Sequence, residues 1–135
     1  MTNAMTMIPD LDIPGSQSTP AIRSDWAAGR LTLQGDSYPE NSYELFDQVI
    51  AWVECFLSDE SRPLALELTL VYLNTSSVKA MMDIFDLLEE AHEGGRPVSV
   101  TWHYDPRNER IAELAEEFKE DCSYPFAITP TPVTS

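Results

Sequence analysis

From Leu64 to Leu73 the chain reads Leu-Ala-Leu-Glu-Leu-Thr-Leu-Val-Tyr-Leu, and no other stretch restricts the fold as much. Leu64, Leu66, Leu68, Leu70 and Tyr72 share one face of an extended chain, and in the second half Val71 and Leu73 make the other face apolar too. A run apolar on both faces reads as a central strand covered on two sides. Directly after it, Asn74-Thr75-Ser76-Ser77 supplies residues that cap helices. Val78, Met81, Met82, Phe85, Leu88 and Ala91 then recur at helical spacing until Gly94-Gly95. A strand passing straight into an amphipathic helix opens a crossover to a parallel neighbour.

The flanking sequence repeats the pattern. Thr19 to Arg23 and Arg30 to Gln34 predict two short strands, with a hairpin bend at Ala27-Ala28-Gly29. Leu45, Val49, Trp52, Val53 and Phe56 predict a helix from about Asn41 to Leu57. Ser37 with Glu40, or Asn41 with Glu44, could form its capping box, and Pro39 is tolerable only in a first turn. Pro97 to Tyr104 predicts another strand. Asp105-Pro106 then reads as the cap and first residue of a third helix, whose buried stripe is Ile111, Leu114, Ala115, Phe118 and Cys122. A last short strand uses Phe126 to Ile128. The fold class is therefore α/β: one domain with a mixed, mostly parallel sheet, an N-terminal hairpin and three main helices. The domain spans residues 18–128, with an extended or mobile arm at 1–17 and a disordered Thr/Pro tail at 129–135.

Composition removes whole classes of function. There are 23 acidic against 8 basic residues, a net charge of −15, so the chain repels phosphate backbones and anionic lipid surfaces. Neither nucleic acid nor membrane is an expected partner, whereas a protein with a basic surface is. No run approaches the roughly 18 apolar residues of a membrane span, and the N-terminus lacks the order of a signal peptide. A cytoplasmic location is expected. Cys55 and Cys122 form no CxxC pair and read as reduced thiols. His92 and His103 lack metal-ligand spacing, and Glu113, Glu116, Glu117, Glu120 and Asp121 lack the spacing of a calcium loop. No metal, no cofactor and no enzymatic activity is expected: motifs for phosphate cradles, nucleophile elbows and metal hydrolases are all missing, and no histidine near Ser76 or Ser77 in sequence is an obvious base.

What remains is the hydroxyl cluster Thr75-Ser76-Ser77. It could cap a helix and do nothing more. It also stands where a strand's carboxyl end meets a helix N-terminus, the usual place for sites in open α/β sheets. A phosphate there adds about −1.5 to −2 charges and is tolerated by the helix dipole.

The strings from Ser18 to Ile22, Gly35 to Phe46, Tyr72 to Asp83 and Trp102 to Arg110 resemble the SiaC family of bacterial regulatory phosphoproteins. The resemblance covers roughly residues 13–128 and is most specific in the words Ser37-Tyr38-Pro39-Glu40-Asn41-Ser42 and Tyr72-Leu73-Asn74-Thr75-Ser76-Ser77. It implies a STAS-like fold and a phosphoacceptor at Thr75. It also implies three partners: a SiaB-like serine/threonine kinase, a SiaA-like PPM-type phosphatase, and a SiaD-like diguanylate cyclase that the unphosphorylated form binds and activates, promoting cyclic di-GMP synthesis and biofilm formation. Asn74, Ser76 and Ser77, with Ser37, Tyr38, Pro39, Glu40 and Asn41, are the expected docking residues. The rival expectation is an anti-sigma factor antagonist acting in a partner-switching module that controls transcription.

Overall fold

The computed structural model describes residues 10–59 and 61–131. Their elements are β1 (Asp12–Ile13), β2 (Ala21–Asp25), β3 (Arg30–Ser37), α1 (Ser42–Asp59), β4 (Leu64–Leu73), α2 (Thr75–Glu93), β5 (Val98–Tyr104), α3 (Glu109–Glu120) and β6 (Phe126–Pro130). The six strands form one sheet in chain order. β1, β2 and β3 pair antiparallel, and β3 through β6 pair parallel, so the expected α/β class and mixed, mostly parallel sheet are what the chain forms.

Chain order has a consequence that the periodicity of single segments does not carry. Each helical crossover steps one strand further in the same direction, and crossovers of one hand taken in one direction leave their helices on one face. Burial follows: Leu31, Leu33, Leu64, Leu66, Leu68, Val98, Val100 and Trp102 are buried, whereas Thr32, Ala65, Glu67, Thr69, Ser99, Thr101 and His103 keep partial exposure on the other face. The expectation that β4 is covered on two sides is thereby corrected. Its doubly apolar end has another cause. Gly35 pairs with Leu70 and Asp36 with Tyr72, so Val71 has no opposite residue in β3 and forms a bulge. The alternation slips by one, leaving Val71 and Tyr72 about half exposed and Leu73 buried.

Several boundaries move for local reasons. Residues 16–19 form a turn in which Ser16 Oγ accepts from the backbone N–H groups of Ser18 and Thr19, so β2 starts at Ala21. Ahead of it, Leu11 exchanges bonds with Ser24 at 2.6 and 3.0 Å, and Asp12–Ile13 joins the sheet as a strand the sequence reading does not contain. β6 runs two residues past Ile128, and the Thr131 N–H donates to Tyr104 O at 2.7 Å. The first nine residues of the expected arm and residues 132–135 of the expected tail lie outside the described residues. Asp105 does not cap α3. Asn108 does, accepting from Ile111 N–H, while Asp105 binds the Arg107 guanidinium, which holds its carboxyl down at about 2. At the other end of the molecule α1 has no basic residue in its last turn, and Arg96 supplies the missing donors, its guanidinium reaching Leu57 O at 2.7 Å.

Candidate functional site

The parallel strands β3 and β4 end side by side, and the helices that follow them start from that edge. Asn74, in extended conformation with φ −77° and ψ 174°, ends β4 and caps α2 by accepting the Ser77 N–H at 2.9 Å. Its own N–H donates to Ser37 O at 2.9 Å, tying the cap to the last residue of β3. Ser37 and Ser77, both fully buried, share a hydrogen bond of 2.8 Å between hydroxyls. Ser42, the buried first residue of α1, pairs with Ser76 at 2.5 Å, and Ser76 Oγ also donates to Asn74 Oδ1 at 3.2 Å. Two hydroxyl pairs therefore fasten the start of α2 to β3 and to α1.

Thr75 is the exception. As the first residue of α2 it is exposed, and among the described residues its hydroxyl has no hydrogen-bond partner. Its neighbours are held in place, so its backbone is fixed while its side chain remains accessible.

The apolar surface collects at the same edge. The five large hydrophobic residues that stand out as exposed among those described are Tyr38, Tyr43, Val71, Tyr72 and Met82. Tyr38 follows β3, Tyr43 lies in the first turn of α1, Val71 and Tyr72 end β4, and Met82 stands two turns along α2 from Thr75 on the same face. Tyr38 and Tyr72 meet edge to face with centroids 5.9 Å apart. The bulge at Val71 is what turns this pair outward, and Asn108 secures it by donating to Val71 O at 3.2 Å. Exposed aromatic side chains are the type in which interaction surfaces are enriched.

The expected docking residues divide into two groups. Tyr38, Glu40, Asn41 and Ser76 are exposed and Asn74 is half-buried. Ser37, Ser77 and Pro39 are enclosed, and the bonded Ser37 and Ser77 hold the edge together from beneath. Asn41, rather than Ser37, caps α1, accepting from Glu44 N–H at 3.1 Å, because Ser37 is still in β3; Pro39 lies before the helix, not in its first turn. The sequence reading missed Ser42, Tyr43, Val71, Tyr72, Met82 and Lys79. Ser42 and Tyr72 lie inside the family words, but local spacing does not show that Tyr72 faces outward or that Ser42 bonds Ser76.

A small cleft of about 60 Å³ separates the first turns of α1 and α2; Ser42, Tyr43, Asp47, Ser76, Lys79 and Asp83 are among its walls. The larger groove, about 680 Å³, lies at the far ends of the same helices beside Arg96 and contains none of these residues. Among the described residues no group of three or more His, Cys, Asp or Glu side chains is placed to hold a metal. His103 pairs with Glu67 at 3.1 Å on the open face of the sheet, and burial pushes the Cys122 thiol up.

The serine pairs can be tested by stability. Ser77→Ala strands the buried Ser37 hydroxyl and is expected to cost about 1–3 kcal/mol, whereas Ser37→Ala/Ser77→Ala removes both partners and costs less than the sum of the single changes. Urea unfolding of the four proteins measures the coupling; strictly additive losses would show that the two hydroxyls do not support one another.

A family model described as SiaC family regulatory phosphoprotein matches residues 13–131. The chain belongs to this family. A curated relative, an uncharacterised protein of Pseudomonas aeruginosa strain UCBPP-PA14, is 78% identical over 119 residues, covering 88% of this chain and 94% of the relative. The crystal structure of apo-SiaC from Pseudomonas aeruginosa is 74% identical, with a TM-score of 0.87 over 90% of this chain and 99% of that one. SiaC also appears in a crystal structure of the diguanylate cyclase SiaD in complex with its activator SiaC, from the same organism. There the match is 76% identical, with a TM-score of 0.89 over 90% of this chain and 100% of that chain. Among the described residues no helix is long and apolar enough to cross a membrane.

Proposed function

We propose that this chain is a non-enzymatic regulator in the cytoplasm whose unmodified form binds and activates a diguanylate cyclase resembling SiaD. A SiaB-like kinase ends that binding by phosphorylating Thr75, and a PPM-type phosphatase resembling SiaA restores it. The observation that carries the reading is the contrast among three adjacent hydroxyls: Ser76 and Ser77 are bonded to Ser42 and Ser37, and Thr75 is open. Membership of a family of phosphoproteins calls for an acceptor. A kinase must bring the hydroxyl oxygen into line with the γ-phosphate, which an exposed, unbonded side chain permits and a hydrogen-bonded one resists.

The partner side has its own support. A SiaC at 76% identity is the activator in a cyclase complex, which favours a cyclase over an anti-sigma factor. Tyr38, Tyr43, Tyr72 and Met82 offer the apolar anchors of a docking surface, and Glu40, Asn41, Asn74 and Ser76 its polar rim. Acceptor and anchors share one edge, so a phosphate there interferes with docking without refolding the protein.

Kinase treatment with ATP followed by tandem mass spectrometry tests the assignment. One phosphate on Thr75 is expected, and none on Thr75→Ala. Undiminished uptake by Thr75→Ala, or a phosphate placed on Ser76 or Ser77, would overturn it.

A further inference from the structure

Resting on the phosphorylation of Thr75, we propose that Lys79 is the counter-ion of that phosphate and so a positioning residue of the switch. Lys79 is four residues beyond Thr75 in α2, one turn along the same face. Side chains in a helix lean toward its N-terminus, so a residue covers the surface over the turn before its own Cα. From Lys79 a side chain can therefore extend back over Thr75, and the preceding strand β4 offers no basic residue to compete with it. An anion placed four residues ahead of a lysine is also the better of the two orders for such a pair.

Lys79 is available for this role. It is exposed, and among the described residues its ammonium forms no ion pair. It is the basic side chain of the cleft between α1 and α2, where Asp47 of α1 and Asp83 of α2 are the competing carboxylates and Tyr43 stands at the rim. A phosphate dianion beside it outweighs either single carboxylate. The pairing draws the phosphate along α2 toward the cleft that Lys79 shares with Tyr43, instead of leaving it projecting into solvent.

Phosphorus NMR on protein with phosphothreonine installed genetically at residue 75 tests the pair, and installation makes the result independent of which residue a kinase selects. The second ionisation of phosphothreonine lies near pH 6, and a neighbouring cation lowers it. Lys79→Gln is expected to raise it by about 0.3 unit at low salt, the size of an exposed pair one helical turn apart. Lys79→Arg should keep the wild-type value, and salt at about 1 M should erase the difference. The same titration in Lys79→Gln and wild type would overturn the pairing and leave the switch at Thr75 standing. Failure of kinase treatment to modify Thr75 would instead strike at the switch itself.

Discussion

Phosphothreonine at residue 75 is expected to weaken binding to a SiaD-like cyclase by at least about a hundredfold in calorimetric titration, while Thr75→Ala binds within about threefold of wild type. A hundredfold loss is about 2.7 kcal/mol. The cost of desolvating a charged group in an interface is several kcal/mol even after relaxation, so one phosphate suffices without any rearrangement. Thr75→Ala is mild because the side chain is exposed and unbonded, and the cap is Asn74, not Thr75. Its stability should stay within about 0.5 kcal/mol of wild type. Thr75→Asp, with one charge instead of two and no phosphate oxygens, should fall between the two. Equal affinities for the phosphorylated and unmodified proteins would remove exclusion at the docking edge as the mechanism, whatever residue carries the phosphate.

Much of this fold is written in local spacing. β4, α2 and β5 follow from alternation and helical periodicity, and each lies within a few residues of its expected bounds. What escaped depends on pairs of segments. The bulge at Val71 exists only in the register of β4 against β3, so in sequence Val71 and Tyr72 look like core residues when they are surface. Coverage of one sheet face follows from strand order, which no single segment encodes. Caps were ambiguous for the same reason: Ser37 and Asp105 are good capping residues in isolation, but strand pairing occupies one and the Arg107 guanidinium the other. At the candidate site, Thr75 was singled out by the family word that contains it. The reason it differs from Ser76 and Ser77 lies 34 and 40 residues away, in Ser42 and Ser37.

The edge that carries Thr75 is only as well placed as α1, and α1 is anchored by Trp52. This side chain has no exposed surface, stacks on Phe56 with centroids 5.5 Å apart, and meets Trp26 edge to face at 5.7 Å. Its indole N–H donates to Asp10 Oδ1 at 3.1 Å, and the same oxygen accepts from Trp26 N–H and Ser24 Oγ, so one carboxylate joins the arm, the β2–β3 hairpin and α1. Trp52→Ala leaves a large cavity among these rings and is expected to cost about 3–5 kcal/mol. That is a large share of the roughly 5–15 kcal/mol available to a domain of this size. Trp52→Phe keeps an aromatic ring and loses part of the ring volume and the bond to Asp10, which is exposed and regains water, so its expected cost is lower, about 1–2 kcal/mol. Urea unfolding followed by far-ultraviolet circular dichroism gives both values. A cost under 1 kcal/mol for Trp52→Ala would mean that Phe46, Val49, Val53 and Phe56 hold α1 without it. If Trp52→Ala proves too unstable to measure, Trp52→Phe relative to wild type still gives the combined contribution of the indole bond and the larger ring.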